Sequence, residues 1–516
     1  MQQQHHPVCP ALALPSPVPA SRAPKPVTRR AIGWPLIVLA ALMLVWTAAG
    51  PIRAAENLRA GAFAQNISPT TFPAPVNGSM KGNFATKITD PMHARAVAIS
   101  DGRHEIILCV VDACLIPRDV CEQAKAIASK QTGVPASHIL ISATHTHSAA
   151  AMTPAFQCDP DPKYVADVPA RIAAGLIQAH QNLEPAEIGW AMGSDPTQVF
   201  NRRWFVKDGA SYENPFGSTK DRAWMNPGQQ NPKISIPAGP TDPEVAVLAV
   251  RSAVDQRPLA FFANYSLHYV GGNPAISADY FGAFAQEIAA RLKAGDQRYR
   301  GKPAFVGVMS NGTSGNINNN NVGAPARPRH EPGEQIKIVA RSVADAAMVA
   351  YESIKWEKTT TLDTLEEDIN LGVRKANAAE LERAKQILAT TPKDKDGQWG
   401  DRKAIYAREA IKLVDYPNEV PVKLQVHRIG ALSIAAIPCE VFVEIGLELK
   451  KNTPFTRHFT VSLANGYNGY LPTPEHHAFG GYETWRARSS YLETQASVKI
   501  NDRLTAMLAT LKQRAR

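Results

Sequence analysis

The chain has 516 residues, 44% hydrophobic and 20% charged, an ordinary composition for a soluble globular protein and too long for a mini-protein. Its formal net charge is +10, but half of that surplus lies in residues 1–55, which hold five basic residues and no acid. The rest is evenly interspersed without a basic stripe, which excludes nucleic acid as a partner.

Residues 1–55 read as a signal peptide or N-terminal anchor. A Pro-rich basic stretch ends in Thr28-Arg29-Arg30, an apolar run follows over residues 36–49, and small residues surround Ala49, Ala54 and Ala55. The order predicts export, to the periplasm or outside the cell. The run is short of the ~20 residues a membrane span needs, so an anchor over 36–49 is the alternative. Six cysteines occur, Cys9, Cys109, Cys114, Cys121, Cys158 and Cys439, without a C-x-x-C pair. The default reading makes them small buried hydrophobes, with one disulfide among Cys114, Cys121 and Cys158 left open.

Residues 56–516 form the mature part. Its start, 60–86, is rich in Gly, Pro and Asn and is expected to lie over the surface. Strands are expected at 96–100 and 105–112 around the turn Asp101-Gly102, then a helix at 120–132, a buried strand at 138–142 and a helix at 164–183. Strand and helix in alternation imply a mixed α/β core. Residues 208–242 read as a long functional loop covering the site. Strands follow at 245–252 and 259–265, a helix at 281–292, a strand at 304–309, an Asn/Gly stretch at 310–321 and a helix at 335–351. A surface helical pair at 378–389 and 402–413 precedes a hairpin of 422–429 and 431–437 around Gly430. No internal repeat is evident.

The sharpest local signal is Ser142-Ala143-Thr144-His145-Thr146-His147-Ser148, directly after a strand. Alternation along extended chain puts His145 and His147 on one side, where two neutral imidazoles suit zinc; loop histidines bonded to backbone are the plainer alternative. His268 follows another apolar run just before Gly271-Gly272, and Glu440 closes Ala435-Ala436-Ile437-Pro438-Cys439. A carboxylate ending an apolar strand needs a partner. Strand ends gathered at one edge are the usual place for an α/β active site. No G-x-S-x-G elbow and no H-E-x-x-H motif is present, which disfavours serine hydrolases and zincins.

These segments resemble the neutral (alkaline, non-lysosomal) ceramidases. Residues 143–148 are similar to the family's G-T-H-T-H-S-G-P motif, and Phe262-Ala263-Asn264-Tyr265-Ser266-Leu267-His268 to its N-W-F-x-V-H. Pro438-Cys439-Glu440 resembles P-G-E, Tyr467-Asn468-Gly469-Tyr470 Y-x-x-Y, Phe200-Asn201-Arg202 the N-R-S segment, and Gly481-Tyr482-Glu483 R-Y-E. The resemblance runs in order from about Gly61 to the C-terminus. It implies a mixed-sheet α/β catalytic domain of the neutral ceramidase type, without that family's C-terminal β-sandwich domain.

The resemblance also implies a site. One zinc ion per chain would be held by His145, His268, Glu440 and Tyr470. His147 would be the general base, and Arg202 and Tyr482 would bind the substrate carbonyl or the oxyanion. Zinc would activate a water to cleave an N-acyl amide, of ceramide or a related lipid, with peripheral membrane contact left open. The family's catalytically important serine is replaced, in register, by Asn318, a catalytic candidate whose amide cannot be deprotonated like a hydroxyl but can donate hydrogen bonds to an oxyanion. That replacement keeps a second reading alive, a zinc hydrolase of a different amide or an ester; a non-catalytic exported binding protein is a third. Asp112 and Asp279 are candidates to orient His145 or His147 and His268, with helix capping the alternative for Asp279.

Overall fold

The computed structural model describes residues 58–272, 275–328 and 330–514. Eight strands form the main sheet: β1 (Arg59–Asn66), β2 (His93–Ser100), β3 (Glu105–Val111), β4 (Ile139–Ala143), β5 (Glu184–Ser194), β6 (Glu244–Ser252), β7 (Pro258–Tyr265) and β8 (Val306–Asn311). Their spatial order is β8-β7-β6-β5-β1-β2-β3-β4. The centre is antiparallel, and the two margins, β3 with β4 and β7 with β8, are parallel. Parallel neighbours need a crossover. Helix α1 (Arg118–Thr132) supplies it on one side and α3 (Asp279–Arg291) on the other, while α2 (Pro162–Gln181) follows β4 and α4 (Glu334–Glu352) follows β8. Three antiparallel strands, a crossover helix, a parallel strand and a second helix thus occur twice. The repeat is absent from the sequence but present in the topology, because each half needs only matching apolar periodicity.

A second sheet of β9 (Leu362–Gly372), β10 (Glu419–Ile429), β11 (Leu432–Ala436) and β12 (Arg457–Val461) packs on the face opposite α1–α4. Its far side is covered by α7 (Val443–Asn452) and α8 (Ala496–Gln513), completing a helix–sheet–sheet–helix stack. With both faces of the main sheet covered, every residue of β4 and β7 is buried, which explains why they read as near-continuous apolar runs. Fully buried side chains such as Phe261, Phe262 and Phe284 each contribute about 1.5–3 kcal/mol. The surface pair α5 (Ala378–Thr390) and α6 (Arg402–Lys412) lies where the sequence puts it, α5 starting at an Asn377/Glu380 capping box.

One feature positions the site. After β12 the chain passes between the two sheet margins: Ser462 N donates to Asn311 O of β8 (3.0 Å), Ala143 N of β4 to Leu463 O (3.1 Å), and Asn465 N to Ile141 O (2.7 Å). The C-terminal ends of β4, β7, β8 and β11 are thereby drawn together.

Several expectations need correction. Residues 59–66 are not surface chain but β1, in the middle of the main sheet; their Ala- and Gly-rich sequence suits the close approach of α2 rather than a loop. The disulfide left open among Cys114, Cys121 and Cys158 does not form: the five described cysteines are free and buried. Residues 208–242 contain strands at Ala223–Met225 and Ile234–Pro237, which pair with Arg203–Val206 in a small sheet. The leader expected over residues 1–55, with its apolar run, lies outside the described residues. Among the described residues no helix is long and apolar enough to cross a membrane.

Candidate active site

The chain leaves β4 at Ala143 and turns sharply, with His145 in the left-handed region at φ 72°. That turn, rather than strand alternation, brings His145 and His147 together, Nε2 to Nε2 at 3.1 Å. His268 comes from the end of β7 and packs edge-on against His145, ring centroids 4.5 Å apart. Glu440 and Tyr470 are direct neighbours in a two-residue parallel pairing of Glu440–Val441 with Tyr470–Leu471. One ligand atom each from His145, His268 and Glu440 lie within 4.8 Å of one another, all three residues buried.

Nδ1 of His145 lies 2.9 Å from Cys114 O, and Nδ1 of His268 lies 3.2 Å from Ser314 O. A carbonyl only accepts, so both rings carry hydrogen on Nδ1 and present Nε2 as a lone pair. Glu440 Oε2 stands 3.1 Å from His145 Nε2 yet has no hydrogen-bond donor among the described residues. Two lone pairs at that distance in a buried site call for a cation between them. Without a metal, a proton can take that place: burial pushes His145 down, but the Glu440 carboxylate holds it well above its ordinary value. Burial raises Glu440, and the His145 charge more than offsets this, leaving it below the ordinary range. The donor set of two imidazole nitrogens, a carboxylate and a nearby phenol fits a zinc-type ion.

The remaining candidates surround this cluster. Burial and the charges of His145 and Arg202 keep His147 well below its ordinary value, so it is neutral; its ring stacks on Tyr269 at 3.6 Å. Arg202 is buried and held by several partners. Its Nε donates to Glu483 (2.8 Å), one terminal nitrogen to Gly315 O (2.8 Å) and to the Tyr470 hydroxyl (3.1 Å), and the other lies 3.3 Å from His268 Nε2. Tyr482 packs against Tyr470, ring centroids 5.8 Å apart. His145, His147, Glu440, Tyr470 and Tyr482 line a cavity of about 520 Å³, whose walls include Leu115 and Phe156. Asn318 is not in that cavity. It lines a neighbouring one with Arg202 and His268, and its amide donates to Asn226 Oδ1 at 2.7 Å.

The carboxylates proposed to orient the histidines do other work. Asp112 accepts from the guanidinium of Arg95 (2.5 Å) and from His93 N (2.8 Å). Asp279 does not meet His268; it accepts from Val270 N (3.0 Å) and Gly271 N (2.8 Å), fixing the loop after His268, and from Tyr280 N (2.6 Å) in the first turn of α3.

The groups that do orient the site escaped sequence reasoning. The carbonyls of Cys114 and Ser314 carry no residue-type signature. Tyr467, which donates to Glu440 Oε1 at 3.0 Å, and Glu483, which bridges Arg202 and Arg203, sit inside recognisable motifs without an assigned role. Gly78, at φ 110°, backs the His147 ring so closely that a Cβ would fall 2.4 Å from His147 Cγ. Gly315 is similar: a Cβ there would fall 2.5 Å from Glu440 O.

No protein-family model matches the chain, and no curated protein matches it in sequence. Solved structures do match its fold. The neutral ceramidase from Pseudomonas aeruginosa superposes with a TM-score of 0.67 at 16% identity, over 89% of this chain and 75% of that one. A ceramidase complexed with C2 gives 0.65 at 17% identity, over 89% of this chain and 76% of that one. From the mixed main sheet to the strand ends that carry the site, this chain has the neutral ceramidase fold.

Proposed function

We propose that the protein is a zinc-dependent hydrolase that cleaves an N-acyl amide bond. The observation that carries this reading is the convergence of His145, His268 and Glu440, whose ligand atoms lie within 4.8 Å and leave an unpartnered carboxylate oxygen facing an imidazole lone pair. Tyr470 would complete the set, since it neighbours Glu440 across the short parallel pairing.

His145, His268, Glu440 and Tyr470 would hold a zinc ion, which would supply Lewis acidity for the amide carbonyl and for a water near neutral pH. His147, kept neutral by burial, accepts a proton from the attacking water and returns it to the leaving amine. Arg202, held by Glu483 and Gly315 O, directs positive charge at the same point and stabilises the tetrahedral oxyanion. Tyr482 lines the same cavity, against Tyr470, and would share that role. The acyl group would occupy the cavity walled by Leu115, Pro154 and Phe156.

The fold is shared with proteins described as ceramidases, and ceramide is the first substrate to test. Asn318 in the serine's register favours a second reading, in which the same hydrolase takes another acyl compound. Assay of zinc-loaded protein on ceramide beside N-acyl amides and esters of equal chain length decides: ceramide turnover supports the first reading, indifference to ceramide supports the second. No turnover of any acyl compound would overturn both.

A further inference from the structure

The second cavity, about 550 Å³, adjoins the first at the ligand cluster, for His268 lines one while His145 and Glu440 line the other. Their walls differ. Beyond the ligand cluster the first has Leu115, Pro154, Ala155 and Phe156 along its wall, with Arg488; the second is lined by Arg202, Arg327, Gln335 and a run of asparagines, and by no carboxylate.

The four asparagine oxygens in this wall are already used as acceptors. Asn226 Oδ1 accepts from Asn318 Nδ2 (2.7 Å), and Asn318 Oδ1 from Asn320 N (2.9 Å). Asn319 Oδ1 accepts from Arg327 (2.5 Å) and Gln335 (2.9 Å), and Asn320 Oδ1 from Gln229 (3.2 Å). The Nδ2 groups of Asn226 and Asn320 donate to no described residue, and Arg327 makes no ion pair among the described residues. Partial burial, with no acidic neighbour to offset it, lowers the basicity of Arg327. The wall therefore offers N–H donors and uncompensated positive charge, which suit an anion.

We infer that the second cavity binds the amine half of the substrate, and that this half carries an anion, as in an N-acylated amino acid or aminosulfonate. The inference rests on the amide-hydrolase reading. Water adds to the acyl carbon and the C–N bond breaks, so an N-acyl amino acid anion and water give a fatty carboxylate and a zwitterionic amino acid. The hydroxyls of a neutral sphingoid amine can accept from these donors but bring no charge to meet Arg327, whereas a carboxylate or sulfonate does both.

The test compares N-lauroylglycine, N-lauroyltaurine, N-lauroylethanolamine and ceramide on zinc-loaded wild type and Arg327→Gln, a replacement that removes no ion pair among the described residues. We expect one or both anionic compounds to exceed the ethanolamide in kcat/KM by about tenfold or more. Arg327→Gln should lower kcat/KM for the anionic substrate, through KM, by about tenfold more than for the ethanolamide. Calorimetric binding of N-lauroylglycine to metal-free protein should weaken in parallel. Equal or better turnover of the ethanolamide or ceramide, or an equal effect of Arg327→Gln on all substrates, overturns the anionic substrate and leaves the hydrolase standing. No turnover of any compound overturns both.

Discussion

His145 and His268 are held by the same device from opposite halves of a duplicated sheet: Nδ1 against a main-chain carbonyl, rings edge-on with centroids 4.5 Å apart. In the first half the histidine follows the parallel margin strand β4 and the carbonyl, Cys114, follows β3. In the second half the histidine follows β7 and the carbonyl, Ser314, follows the margin strand β8. Two equivalent loop pairs thus supply one ligand and one orienting group each, with the roles exchanged. Fixing the tautomer in this way sends both Nε2 lone pairs to one point.

Gly78 tests how tightly His147 must be placed. Its Cβ would lie 2.4 Å from His147 Cγ, and its φ of 110° disfavours any side chain. Gly78→Ala should lower kcat by about 10²-fold, as a 1 Å displacement of a catalytic group does. Metal content should be unchanged, because no ligand moves. Steady-state kinetics beside metal analysis separate these outcomes.

Glu483 balances two buried guanidiniums, Arg202 at 2.8 Å and Arg203 at 2.6 Å, with side chains no more than 6% exposed. Removing one partner of such a set leaves buried charge uncompensated. Glu483→Ala should therefore destabilise the protein by about 3–5 kcal/mol, read from urea unfolding. A loss under about 1 kcal/mol would mean that solvent or another acid reaches the arginines.

Two buried histidines, His427 and His458, should make stability rise with pH between about 3 and 6.5. Burial, aided by Lys125, lowers His427 to about 3, and burial, aided by Lys450, lowers His458 to about 3. Unfolded, each takes a proton near 6.5, so below that value the unfolded chain binds more protons. Their contribution is fully present above pH 6.5 and is lost as pH falls towards 3, at about 1.4 kcal/mol per pH unit for each. His427→Gln should flatten the stability profile between these limits by about that amount per unit, measured by denaturant titration at several pH values.

Much of this was legible in the sequence, and the exceptions have physical causes. Strands buried on both faces, such as β4 and β7, announce themselves as apolar runs. Strand β1 does not, since its Ala and Gly residues have low strand preference and it is fixed by pairing with β2 and β5. Strand β9, Leu362–Gly372, carries four acids and is made a strand by its full-length register with β10. At the site, side-chain types pointed to His145, His147, His268 and Glu440, which the fold brings together. The backbone carbonyls, the glycine behind His147 and the position of Asn318 in a separate cavity depend on tertiary approach, which residue types do not encode.

The central claim is that a cation belongs between His145, His268 and Glu440. Metal analysis of purified wild type beside His145→Ala, after growth with zinc, tests it most directly. About one zinc per chain is expected in wild type and almost none in the variant. A wild-type protein that carries no metal and takes up none on dialysis against zinc would contradict it.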